Sequence, residues 1–101
     1  MSNYKVILLA SAQQDLRTIA DYLDENFGVV VKIKVMKKMK QRMASLHYFP
    51  RLAPVLYWSE EKAEWRKLLI KPYVAIYQLQ QTTVLIYRIF HMAQDYSLQL
   101  M

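Results

Sequence analysis

Between Trp65 and His91 three apolar segments, Trp65 to Ile70, Tyr73 to Leu79 and Val84 to His91, follow one another with only short polar gaps between them. Gaps of that size have no room for a crossover helix, so each segment must reverse against the one before it in an antiparallel meander. Leu68 and Ile70 alternate with Lys67 and Lys71, and Tyr73, Ala75, Tyr77 and Leu79 alternate with Val74, Ile76 and Gln78, which is the period of strands. The turn Gln80-Gln81-Thr82 has to reverse the chain without glycine. Val84 to His91 is apolar on both faces apart from Arg88, as expected of a central strand with a layer on each side or of a face covered by a partner. The run closes on Ile89-Phe90-His91-Met92-Ala93-Gln94-Asp95-Tyr96, placing a His, an Asp and a Tyr where the sheet ends.

The first half reads differently. Tyr4 to Leu9 is a first strand, and Ser11 with Gln14 three residues on has the capping-box spacing that opens a helix. Leu16, Ile19, Ala20, Leu23 and Phe27 repeat at helical spacing up to Gly28, the only glycine and a sharp stop. A second helix follows to about Leu46, with Val35, Met39, Met43 and Leu46 on one stripe and Lys34, Lys37, Lys38 and Gln41 opposite. The β-branched run Val29 to Val31 weakens its first turn. The methionines read as adaptable core packing. Pro50 and Pro54 then bracket a non-helical stretch, since each lacks a backbone donor and biases its predecessor toward extended geometry. The order β-α-α-β-β-β predicts a single α+β domain over residues 1–101: an antiparallel sheet with a helical hairpin packed on one face.

Composition limits the chemistry. A chain of 101 residues at 54% hydrophobic supports one core, and the lack of cysteine removes disulfides and thiolate metal sites. No early run has the shape of a signal peptide and none approaches a membrane span, so a soluble, cytoplasmic protein is expected. Net charge is +6, and from Gly28 to Ser59 there is no acid while Lys32, Lys34, Lys37, Lys38, Lys40, Arg42 and Arg51 all fall there. Clustered cations at a pI of about 9.6 are the footprint of a nucleic-acid ligand or an acidic protein partner; a solvated helix face is the plain alternative.

Taken in order, Tyr4-Lys5-Val6-Ile7-Leu8, Ala12 to Ile19 with Tyr22, Leu46 ahead of Pro50, Arg66 to Ile70, Tyr73 to Tyr77, and Val84 to His91 closing on Gln94-Asp95 resemble the RelE/ParE toxin superfamily of bacterial type II toxin–antitoxin modules. The resemblance implies a small basic toxin that arrests growth when released from an antitoxin with an acidic amphipathic segment, with a toxin–antitoxin heterotetramer as a natural assembly. It also implies one of two targets. ParE-like members poison DNA gyrase, and RelE-like members cleave mRNA on the ribosome. RelE-like members usually carry Arg where this chain has Val74, and many carry basic residues where it has Met92, Ala93 and Gln94, so these departures favour the gyrase-directed branch. A degenerate, non-toxic module that binds nucleic acid or protein is a third reading.

RNA cleavage by an attacking 2′-hydroxyl needs a base, an acid and cations around the developing phosphorane. The candidates for that role are His91, Tyr96 and Arg66, set against structural readings of each. Lys34, Lys37, Lys38, Arg42, Lys67, Lys71 and Arg88 are candidate contacts to nucleic acid or antitoxin, with Lys67 and Lys71 sharing a strand face with Trp65. Arg88 suits a sheet-face salt bridge as well as a phosphate. Asp95 suits a cap or an Arg partner, His47 a helix end, and Glu60, Glu61 and Glu64 an exposed acidic loop. No cofactor is implied, and no His/Asp/Glu set has the spacing of a metal site.

Overall fold

A computed structural model describes residues 3–58 and 63–93. Strand β1 (Lys5–Leu8) passes almost directly into helix α1 (Ala10–Phe27). The cap differs from the sequence expectation. Leu9, extended at φ −69° and ψ 162°, stands at the N-cap with no side-chain cap, and Ser11 lies inside the first turn. Its hydroxyl is spent outside the helix, donating to the Tyr87 carbonyl at 2.6 Å. Gln13 ties the turn back to β1 by donating from its side-chain amide to the Leu8 carbonyl at 2.9 Å.

Gly28 joins the helices in one residue. It sits at φ 90° and ψ 168°, a region open essentially to glycine alone. Its N–H donates to Asp24 O at 3.1 Å, closing α1, and its carbonyl accepts from the Lys32 N–H at 3.1 Å, opening α2 (Val29–Ala44). That junction sets the first turn of α2, so the β-branched run Val29–Val31 is helical despite its propensity. Phe27, expected in the apolar stripe, is instead 59% exposed at the hairpin tip with its ring edge-on to Tyr22. Helix α2 hands over to a short 3₁₀ turn at Ser45–His47, which carries the buried Leu46.

Beyond it, the stretch read as merely non-helical holds strand β2 (Val55–Trp58), followed by β3 (Glu64–Ile70), β4 (Tyr73–Gln80) and β5 (Thr83–His91). Pro54 stands just before β2, which is an edge strand, the place where a missing donor is tolerated. The β4–β5 turn reverses at Gln81 and Thr82, and without glycine Gln81 itself takes a left-handed conformation at φ 53°. The strand order is β1-β5-β4-β3-β2. The meander is antiparallel as expected, but β1 runs parallel to β5, so the sheet is mixed.

The helical hairpin covers one face of this sheet. Ala12 from α1, Met39 and Met43 from α2, and Leu46 pack with Leu68, Tyr77, Ile86 and their neighbours into the principal core. The strand buried on both faces is the middle one, β4, rather than β5: Tyr73, Ala75, Tyr77 and Leu79 join the helix-side core, while Val74 and Ile76 form a second cluster with Phe90, flanked by Trp65. Polar ties fix the ends. His47 Nδ1 lies 2.6 Å from the Tyr4 carbonyl, and the Tyr4 N–H donates back to His47 O at 2.9 Å, so His47 anchors the start of β1. The Tyr77 hydroxyl donates to Pro50 O at 2.8 Å, pinning the connection before β2; burial pushes its pKa up to about 12.

Candidate functional site

Strand β1 pairs with β5 only from Thr83 to Ile86, so among the described residues no strand flanks the second half of β5 on that side. The start of α1 fills the gap. The Leu9 N–H donates to Ile86 O at 2.9 Å, Ser11 reaches Tyr87 O, and the Asp15 carboxylate accepts from the Ile89 N–H at 2.8 Å. A register shift between Ile76 and Tyr77 leaves Tyr87 as the extra residue of a bulge, after which Arg88 points to α1. Its Nε and Nη2 donate to the two oxygens of Asp15 at 2.8 and 3.1 Å, and its Cζ lies 4.7 Å from the centre of the Phe90 ring. The bond to Asp15 raises the Arg88 pKa above its ordinary value. Arg88 is therefore held by the chain's own carboxylate.

Asp15 is the partner of Arg88 that sequence reasoning passed over. Its signal was present: it stands four residues before Ile19 and eight before Leu23, on the margin of the apolar stripe, where an unpaired carboxylate is costly.

Beside this clamp a cleft of about 320 Å³ opens between α1 and the end of β5, walled by Asp15, Tyr22, Tyr73, Arg88, Phe90 and His91. A second, of about 330 Å³, runs on from Tyr22, Tyr73 and His91 toward Phe27, Val31, Val35 and Lys38 on the hairpin. The shared residues make the two one mostly apolar groove. Burial raises the Tyr73 pKa, and its ring stands edge-on to His91 at 5.5 Å between centres. His91 is exposed, and its Nδ1 accepts from the Ala93 N–H at 3.1 Å, a local strand-end bond. Tyr96 and Asp95 lie outside the described residues, as do Glu60 and Glu61.

Arg66 is not brought to His91. It sits at the other end of the sheet, where its Nε donates to Glu64 and its Nη1 to the Ala53 carbonyl. Glu64, read from sequence as part of an exposed acidic loop, is only 7% exposed and also meets Arg51 Nε at 3.3 Å. Burial without these cations would be prohibitive for a carboxylate, which is why the three residues travel together.

The remaining cations separate into two surfaces. Lys67 is partly buried beside Trp65 on the face away from the helices, whereas Lys71 lies past the end of β3, exposed in the turn, and does not share that strip. The fold gives Lys71 different company: Lys38 Nζ lies 3.5 Å from its carbonyl. Lys34, Lys37, Lys38 and Arg42 are all exposed on the outer side of α2. Among the described residues no group of three His, Cys, Asp or Glu is placed to hold a metal, and no helix is long and apolar enough to cross a membrane.

A two-helix hairpin on one face of a small mixed sheet is a fold shared with solved toxin–antitoxin structures. The chromosomal ParDE toxin–antitoxin system from P. aeruginosa is similar to this chain with a TM-score of 0.73 at 18% identity, over 87% of this chain and 95% of that one. The toxin–antitoxin complex RelBE2 from Mycobacterium tuberculosis aligns at 22% identity over 88% of this chain and 98% of that one, with a TM-score of 0.47. No curated protein matches the sequence. The family described as ParE toxin of type II toxin–antitoxin system, parDE, matches residues 6–96, and the chain belongs to it.

Proposed function

We propose that this toxin arrests growth by binding and poisoning DNA gyrase, without cutting RNA. One observation supports this above the others. The two arginines best suited by type and position to face a phosphorane are committed internally, Arg66 to Glu64 and the Ala53 carbonyl, Arg88 to Asp15. His91 is thus left at a strand end with its Nδ1 engaged by the Ala93 amide. A poison that works by docking requires shaped surface instead of an acid, a base and a cation in register.

Before release the toxin is held by a cognate antitoxin whose acidic amphipathic segment takes up the groove from Arg88 and Tyr73 to Phe27. Its apolar walls and half-exposed aromatic rings at Tyr22 and Phe27 suit the apolar face of a partner helix.

Induction of the toxin alone, with pulse-labelling of nascent DNA and nascent protein over the first minutes, tests the target. DNA synthesis should fall first, and His91→Ala should arrest growth as the wild type does. Early collapse of protein synthesis, abolished by His91→Ala, would instead establish the mRNA-cleaving reading. No arrest at all would leave a binding module without toxicity.

A further inference from the structure

We propose that the outer face of α2 docks on the phosphate backbone of double-stranded DNA, along a row that borders the groove that takes the antitoxin at Lys38 and Lys71 and leads away from it at Lys34, Lys37 and Arg42. The proposal rests on the gyrase reading and adds to it a direct contact between toxin and the DNA that gyrase holds.

Lys34, Lys38 and Arg42 follow one another at i, i+4 and i+8, a single row about 12 Å long at 1.5 Å per residue. Lys37 and Gln41 form the adjoining row. All five side chains are exposed. Lys71, 33 residues away from Lys38 in sequence, is brought against the row's middle by the bond to its carbonyl. The field of this face is uncompensated: α2 contains no acid, and among the described residues its only ion pair is Lys32 with Asp24 at 3.5 Å, near the hairpin tip. The helix bears this row against its own stability, because each like-charge i,i+4 pair disfavours it by about 0.2–0.5 kcal/mol.

The chemistry favours phosphate over protein. Protein interfaces centre on aromatic and apolar anchors and are depleted in lysine. The outer rows Lys34, Lys37, Gln41 and Arg42 carry no ring: Tyr22 and Phe27 lie in the groove that the row borders at Lys38, and Tyr48 and Phe49 lie beyond the 3₁₀ turn. A strand of duplex DNA presents a phosphate about every 3.4 Å along the axis, so a row of about 12 Å faces three or four of them.

Fluorescence anisotropy of a labelled, mixed-sequence DNA duplex, titrated with the full chain in the absence of gyrase, reads this contact directly. For three or four neutralised phosphates the plot of log affinity against log salt should slope by about −3, a loss of roughly 60-fold between about 50 and 200 mM salt. The pair variant K34Q/K38Q should make the slope shallower by about two and weaken binding accordingly. K34R/K38R should restore both, and K5Q/R17Q, which removes the same charge from exposed positions elsewhere, should leave them unchanged. Far-UV circular dichroism confirms that each variant is folded. Absence of wild-type binding at low salt, or equal weakening by the two glutamine pairs, overturns the proposal. So does loss of antitoxin capture by K34Q/K38Q with DNA binding intact, which would assign the face to an acidic protein. Because gyrase is absent from this titration, its failure leaves the DNA-labelling test of the target standing, and a failure there leaves the titration readable.

Discussion

Asp15→Ala removes three hydrogen bonds at once, and their surroundings set the size of the effect. The Ile89 N–H lies in a residue 3% exposed and loses its acceptor on a strand edge beyond the reach of β1, which costs about 1–3 kcal/mol. The ion pair contributes less than a fully buried one, because the Arg88 side chain is 33% exposed and that of Asp15 15%. Placed between exposed pairs, near 0–1, and buried pairs, near 3–5, its loss adds about 1–2 kcal/mol. The total of about 3 kcal/mol should lower the melting temperature of a chain this size by more than about 10 °C. Asp15→Asn keeps an oxygen for the Ile89 amide and should cost only about 1–2 kcal/mol, as should Arg88→Met, which keeps an apolar stem over Phe90. Urea denaturation followed by circular dichroism, run on the two single variants and the double, should give a coupling energy of about 1 kcal/mol. An Asp15→Ala variant within about 0.5 kcal/mol of wild type, or additivity in the cycle, would refute the view that Arg88 is held internally and would return it to the list of free ligands.

Gly28→Ala meets no steric obstacle, since nothing lies within 4 Å of an added Cβ, so its cost is backbone strain alone, about 1–3 kcal/mol, read by thermal unfolding. Met39→Ala empties a fully buried site between α2 and the sheet and should destabilise by about 2–5 kcal/mol in urea unfolding, with the larger value if the site fails to collapse. Tyr77 has its pKa raised from 10 to about 12 by burial, so above pH 10 the unfolded chain releases the proton and the folded one does not. The stability tied to this tyrosine is therefore complete below pH 10 and is lost as pH rises toward about 12; Tyr77→Phe should flatten that part of the pH profile of the unfolding midpoint.

Much of this molecule is legible locally. The alternation along Tyr73 to Leu79 and the stripe Val35, Met39, Met43, Leu46 need only neighbouring residues to be read, and both fall where periodicity puts them. Errors concentrate where a residue's partner is distant. Ser11 has the spacing of a cap, but Tyr87 offers its carbonyl to the same hydroxyl from 76 residues away. Glu64 looks like one of three loop acids until Arg66 and Arg51 close on it. Strand β2 escapes notice because it is short, begins after a proline and depends on β3 for its pairing.

The same division holds for the site. Sequence alone placed a basic outer face on α2, since thirty-odd residues without an acid make a positive surface in any fold that exposes them. It also determined the helical hairpin and the meander, and its residues in order carry the resemblance to the family. Only the tertiary structure decided that β1 lies parallel to β5, that Arg88 answers to Asp15 across 73 residues, that Arg66 faces inward, and that Lys71 belongs with Lys38. The reason is physical: periodicity reports which side of an element is buried, whereas the partner of a charge depends on which elements the whole chain brings together, and no local pattern carries that information.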